Sequence, residues 1–413
     1  MPTQEAHGTS RALRQGALAR VAGAYAAMVA LLTAIAAWGQ SLVPTIAVGN
    51  RSTINTDDPF WVDPWVRWDS NWYGGIAENG YAYTPGQQSG IAFFPSYPMA
   101  IRGLTEVTGD HQVSGVLITL VCGLLSVLLF HNWLRTRVSG RAATLALASL
   151  MAYPYAFFLY GAMYSDALFL LCVLAAFTCL EKRWFLAAGL IGAVATAGRP
   201  VGLALVAGLC VRTLEMLAQD RSGAGERASA ETRVTFRDLL LSLRDLRFRH
   251  VTVLTAVLGL AGWCFYLWRT FGNPLAFAAV QGSPGWDQGS GPRTWFKIAF
   301  GGQMLHGPWD IKAVLFAQAL CCLLAVLAIP QVLKRFGWGY ATYVVVVLGI
   351  PLIGSKDFLG CGRYVMMAFP VFAVLGSLLV EQKRRWLRIA VPAVSALALV
   401  VATFFYGLGV LIS

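Results

Sequence analysis

Apolar residues fall along this chain in long blocks separated by brief polar breaks, not in short alternating runs. The blocks lie at about 20–44, 112–133, 142–160, 164–181, 184–198, 200–217, 251–270, 312–332, 338–354, 364–380 and 387–410. Most approach 20 residues, the length at which an α-helix rising 1.5 Å per residue crosses a hydrocarbon core of about 30 Å. A backbone in lipid must satisfy its own N–H and C=O groups, so blocks of this kind predict helices. The fold expected is an all-α polytopic membrane protein of about eleven transmembrane helices. The first block is too long for a signal-peptide core and has no clear cleavage site, which predicts a retained span.

The polar breaks organise the rest. Residues 45–111 are too long for a simple connector, and two stretches in them, 69–79 and 95–107, read as short interfacial helices. A second long break, 271–311, is rich in Gly, Trp and Pro, and a third runs from Ser355 to Tyr364. Residues 218–250 are the remaining insertion. Within it, 220–231 reads as a flexible linker. Residues 237–249 read as a basic amphipathic helix on the membrane surface, touching lipid headgroups. No internal repeat or second soluble unit is visible, so 1–413 reads as one domain.

Composition agrees with this picture: 57% of residues are hydrophobic and 13% charged, against roughly 25% charged in soluble domains. A formal charge of +12 would suit nucleic acid, but its distribution excludes that partner. With the N-terminus placed in the cytoplasm, 22 of the 32 Lys and Arg residues fall in the inner segments, as the positive-inside rule requires. That orientation puts 45–111 on the extracytoplasmic side. The eight Cys lie mostly inside spans without metal-ligand spacing, so no structural disulfide is expected. Arg exceeds Lys and Ala is abundant, a composition suited to a GC-rich bacterium and its plasma membrane.

The stretch richest in candidate chemistry is Arg67–Trp68–Asp69–Ser70–Asn71–Trp72–Tyr73, followed by Phe93–Phe94–Pro95–Ser96–Tyr97–Pro98. Asp69 sits between two Trp residues and just after an Arg, a setting that suits a poised base. The plainer reading is a surface loop anchored by its aromatic residues at headgroup depth. Glu78 follows nine residues on and so projects to the other face of a helix. Asp166 opens the fourth span, where the helix dipole stabilises a carboxylate; a cap and a site role are both open. Arg199, Lys356 and Arg363 stand at outer ends of spans and suit a phosphate at the membrane boundary; snorkelling to headgroups is the alternative for each alone. No HExxH, DxD or Cys/His cluster and no Walker-type loop is present, so neither a metal nor a cofactor is expected. Outside the membrane there are no nucleotides, so a sugar donor used there is carried by a lipid. Its phosphate would meet cations at the boundary, and a carboxylate would deprotonate the acceptor.

The order of motifs resembles the PIG-V-like mannosyltransferases of the GT-C class of membrane glycosyltransferases. The matching pieces are Arg67–Tyr73 with Ile76–Tyr81, Phe93–Pro98, Pro154–Phe158 with Tyr164–Phe169, and Ala197–Gly202. Gly272–Phe277 with Gln281 and Trp286, and Gly362–Tyr364 with Phe369–Pro370, complete the series. The resemblance implies a GT-C-like bundle with interfacial helices in the first outer loop. Asp69 matches the catalytic Asp of that loop. A polyprenyl-phosphate mannose donor, used without metal and with inversion, is implied. Arg199, Lys356 and Arg363 would hold its phosphate. Arg67, Trp68, Trp72, Tyr73, Glu78, Tyr164, Asp166, Gln281, Trp286 and Tyr364 would line the substrates. The family usually has Glu where this chain has Asp166. The acceptor, whether glycan, lipid or protein, is not specified. A transporter or flippase for lipid-linked precursors would need charged or broken helices near mid-membrane, and the spans carry essentially no mid-span ionisable residue. A non-catalytic subunit binding lipid-linked sugar is the third reading.

Overall fold

The computed structural model describes residues 3–42, 59–222, 234–289 and 291–412. Among these the chain is helical, with no β-strand. Helix α1 (Thr3–Ser41) precedes the first long loop, which carries α2 (Ser70–Asn79) and α3 (Ser96–Thr108). Then come α4 (His111–Arg135), α5 (Gly140–Met151), α6 (Asp166–Glu181), α7 (Phe185–Thr196) and α8 (Gly202–Arg221). Two short helices, α9 (Phe236–Ser242) and α10 (Phe248–Val251), lead to α11 (Leu258–Phe271). The second long loop holds α12 (Ala276–Ala279), α13 (Pro292–Trp295) and α14 (Ile298–His306). The chain closes with α15 (Trp309–Phe336), α16 (Trp338–Gly354), α17 (Cys361–Met367), α18 (Pro370–Glu381) and α19 (Leu387–Gly407).

Each of the eleven predicted blocks contains helix among the described residues. Six described segments are long and apolar enough to cross a membrane alone: Gln15–Ser41, His111–Arg135, Gly202–Arg221, Phe248–Phe271, Trp309–Phe336 and Leu387–Gly407. α17 and α18 make a seventh if their 75° bend is one span. The block at 251–270 begins as a 3-10 segment, Thr252–Val257, before α11, and two further blocks are interrupted next to a proline. The block at 142–160 is helical only to Met151 and resumes as a 3-10 turn, Ala156–Leu159, beyond Tyr153–Pro154. The block at 364–380 bends at Phe369–Pro370. Proline has no N–H to donate, so it breaks a helix or opens a new one, and Pro370 stands at the first position of α18. The basic helix read at 237–249 is also broken. Arg221 at the end of α8 bonds the Leu241 carbonyl at 2.8 Å and pairs with Asp245, and the chain turns there through a 3-10 segment. Of the linker read at 220–231, residues 223–231 lie outside the described residues.

The first and last long helices close the bundle on each other. A Cβ on Gly407 would come within 2.1 Å of the Ala36 carbonyl oxygen, and one on Gly39 within 2.3 Å of the Phe404 oxygen. Small residues let the two backbones touch, which in lipid is the main source of helix–helix attraction. α8 packs along α16. There the Glu215 carboxylate accepts the backbone N–H groups of Trp338 and Gly339 at 2.9 and 3.2 Å, supplying partners that the first turn of α16 lacks. Arg212 joins Glu215 at 3.0 Å to Glu181 at 2.9 Å. This buried ionic knot ties α6, α8 and α16 at one end of the bundle. The candidate site occupies the other end.

Candidate functional site

The segment before α2 is a buried strap. Trp65 is fully buried, donates its indole N–H to Thr33 at 3.1 Å, and offers its carbonyl to Met163 N–H and to the Tyr406 hydroxyl. Its ring lies against Gly161, whose φ of 148° and lack of a Cβ permit the contact. Arg67 is 2% exposed and turns back into the strap: one guanidinium nitrogen donates to the carbonyls of Asp63 and Val66 at 2.7 Å and lies 3.7 Å from the Asp63 carboxylate. Expected against the substrate, Arg67 instead shapes the loop. Trp68 follows with φ of 55°, a left-handed conformation uncommon for a bulky residue. Such strain persists where surrounding structure enforces it, and it clusters at functional sites. Here it reverses the chain so that Asp69 faces Arg363 while Arg67 turns back onto the strap.

Asp69 stands at the N-cap position of α2, where an Asp ordinarily accepts a backbone N–H of its own helix. It makes no such bond. Its carboxylate lies 3.6 Å from the Arg363 guanidinium on α17. Arg363 in turn lies 3.9 Å from the Asp166 carboxylate. Asp166 also receives the Arg199 guanidinium from the α7–α8 junction. Asp166 opens α6 without capping it, so the cap reading does not hold. It is fully buried, and its second oxygen has no partner. Arg199 further donates to the Ser165 hydroxyl at 2.8 Å, which also meets the Tyr73 hydroxyl at 2.9 Å. The cluster alternates sign, Asp69, Arg363, Asp166, Arg199, and draws each member from a different segment.

Aromatic rings frame it. Arg363 lies 5.2 Å from the ring centres of Phe158 and Tyr164, and Arg199 lies 5.8 Å from Tyr364. The buried Tyr164 hydroxyl donates to the Arg67 carbonyl at 3.2 Å and accepts the Asp69 backbone N–H at 3.1 Å, fixing the turn that presents Asp69. Beyond α2, Trp72, Phe93 and Trp286 form a ring-on-ring group with centres 5.5–6.0 Å apart, and Tyr73 meets Phe93 edge-on at 5.0 Å. The indole N–H groups of Trp68 and Trp286 and the Nε of Arg363 are buried donors without partners among the described residues. Asp69 is partly enclosed where the strap meets α17, and 29% of its side chain is reachable by water. Burial pushes its carboxyl above the usual range; Arg363 first and Arg199 second pull it back, and Asp166 adds to the rise.

Not every expected residue joins this group. Lys356 pairs with Asp287 at 3.0 Å, joining the two loops that carry them. Glu78 is exposed at the far end of α2, where its carboxylate accepts the Asn79 side-chain amide at 3.3 Å and its carbonyl accepts Arg102 at 3.4 Å. Gln281 sits in the turn after α12, and its carbonyl accepts the Gln288 N–H at 3.0 Å. Ser165, Phe158 and Phe93 belong to the cluster and were not among the expected site residues, although each lies inside a motif already quoted.

Fold and site together define a polytopic helical membrane protein with an acid–arginine cluster where a polar loop meets the bundle. Residues 40–222 match the mannosyltransferase (PIG-V) family, and that segment holds Asp69, Asp166 and Arg199. It is 34% identical over 152 residues to GPI alpha-1,6-mannosyltransferase 2 of Cricetulus griseus, covering 34% of this chain and 30% of that protein. The Mus musculus protein of the same name is 31% identical over 147 residues, covering 33% of this chain and 29% of that one. The chain thus matches under a third of the length of these relatives. Among solved structures it is similar to ArnT from Cupriavidus metallidurans bound to undecaprenyl phosphate, at 12% identity and a TM-score of 0.48 over 94% of this chain and 77% of that one. The apo oligosaccharyltransferase of Archaeoglobus fulgidus gives 13% identity and a TM-score of 0.47 over 93% and 55%.

Proposed function

We propose that this chain is a GT-C-type mannosyltransferase that moves mannose from a polyprenyl-phosphate donor to an acceptor hydroxyl on the extracytoplasmic face, with inversion. One observation carries the reading. An Asp that caps nothing is held 3.6 Å from an arginine, which shares a buried carboxylate with a second arginine. The family match supports the sugar.

The chemistry follows from the charges. Asp69 takes the proton of the acceptor hydroxyl as its oxygen attacks the anomeric carbon. The bond from that carbon to the phosphate oxygen breaks on the opposite face, and its electron pair leaves with the polyprenyl phosphate. Arg363 and Arg199 stabilise that growing charge, which is worth most in a site poor in water. Asp166 holds the two guanidinium groups side by side against their mutual repulsion. The rings of Trp72 and Trp286 border the sugar. The test is Asp69→Asn assayed with labelled polyprenyl-phosphate mannose in proteoliposomes. Loss of a general base costs on the order of 10²–10⁴-fold in rate, and the variant should keep its thermal stability. Wild-type transfer by Asp69→Asn would overturn the mechanism.

A further inference from the structure

The segment joining α8 to α11 takes no part in the site and lies at the opposite end of the molecule. α8 starts beside Arg199 and runs for 20 residues, about 30 Å, the thickness of the hydrocarbon core. Arg221 at its far end holds Leu241 and Asp245. Phe248, the first residue of α10, also opens a 24-residue membrane-crossing stretch. Residues 236–251 therefore lie at the bilayer surface remote from Asp69.

This segment is firmly seated on one side. Leu239 and Ser242 are buried, the Trp338 indole N–H bonds the Val234 carbonyl at 2.8 Å, and Phe185 packs edge-on against His250 at 4.9 Å. The other side is open and apolar: Phe236 is 61% exposed and Phe248 87%. At 100° per residue, Phe236, Leu240 and Leu243 form one stripe, with Arg237 and Arg244 along its border. Neither of these arginines has an ion-pair partner among the described residues. The segment's own acids are occupied elsewhere, Asp238 in the cap of α9 and Asp245 with Arg221, so the open side is positive.

We propose that residues 236–251 dock on anionic phospholipid headgroups of the leaflet opposite the site. The apolar stripe enters the acyl boundary, and Arg237, Arg244 and Arg247 take the phosphates. Position selects lipid over a soluble partner, because the stripe lies beside the entry point of a span, and the charge selects anionic lipid over neutral. The test places a photo-crosslinking amino acid at position 240 of the full-length protein, in nanodiscs of phosphatidylcholine with or without phosphatidylglycerol. Crosslinking to phosphatidylglycerol is expected. It should fall by about tenfold or more when Arg237, Arg244 and Arg247 all become Gln, and mostly survive when they become Lys, since each basic residue contributes through its charge. A salt series on the unsubstituted arginines keeps the test valid if the Gln variant misfolds: crosslinking should weaken as salt screens the charge. Yields indifferent to phosphatidylglycerol, to charge and to salt, or capture of a co-purified protein in place of lipid, would overturn the proposal.

Discussion

Replacing Arg363 by Gln probes the site most directly, because it removes the charge nearest Asp69 and leaves the carboxylate itself in place. At 3.6 Å two unit charges attract by about 4–5 kcal/mol at an effective dielectric of ~20. Water reaches 29% of the Asp69 side chain, so the felt loss should be under half of that, about 2 kcal/mol, or between ten- and a hundredfold in rate. The sign follows from the carboxylate's task. In the proposed mechanism Asp69 must be ionised to accept a proton, so transfer is expected above its folded pKa and lost as pH falls through it. Burial already sets that pKa above the usual carboxylate range, and Arg363 is the strongest force opposing the rise. Arg363→Gln should therefore shift the acid limb of the rate profile further up, while Arg363→Lys shifts it less. The assay is mannose transfer across a pH series in proteoliposomes, with donor saturation checked at each pH. An acid limb that stays in place or moves down in Arg363→Gln, with kcat unchanged, would refute the assignment of Asp69 as base.

Three further outcomes follow from the same contacts. Asp166→Asn leaves two buried guanidinium groups short of a counter-charge, which should cost about 3–5 kcal/mol, read as a lowered unfolding midpoint in detergent; Asp166→Glu should lose less. Tyr164→Phe removes the hydroxyl that ties the Arg67 carbonyl to the Asp69 N–H and should slow transfer by about tenfold at unchanged donor KM; a change in KM alone would contradict a positioning role. Gly161→Ala puts a Cβ within 2.6 Å of the Trp65 ring at a φ of 148°. It should destabilise the protein by about 2–4 kcal/mol in thermal denaturation.

The helices were legible because lipid imposes length and apolarity on every span, and both are visible residue by residue. The interruptions were less so: Pro154 and Pro370 stand plainly in the sequence, yet only packing shows how far a helix yields to them. Within the site, motif order marked Asp69, Asp166, Arg199 and Arg363, while direction stayed hidden. Arg67 is two residues from Asp69, and the left-handed turn at Trp68 sends the two side chains apart. Lys356 is seven residues from Arg363, and its partner Asp287 comes from a different loop. Such pairings depend on how loops settle on one another, which no local pattern records.

The way Asp166 is shared has a consequence for biogenesis. Both carboxylates leave the ribosome with the first half of the chain, whereas Arg363 emerges near the end of translation. Until α17 is inserted, Asp69 lacks the guanidinium that lies nearest to it in the finished fold. Under the proposed mechanism a chain interrupted before Arg363 lacks one of the two guanidinium groups set to receive the leaving phosphate, so it should transfer no sugar.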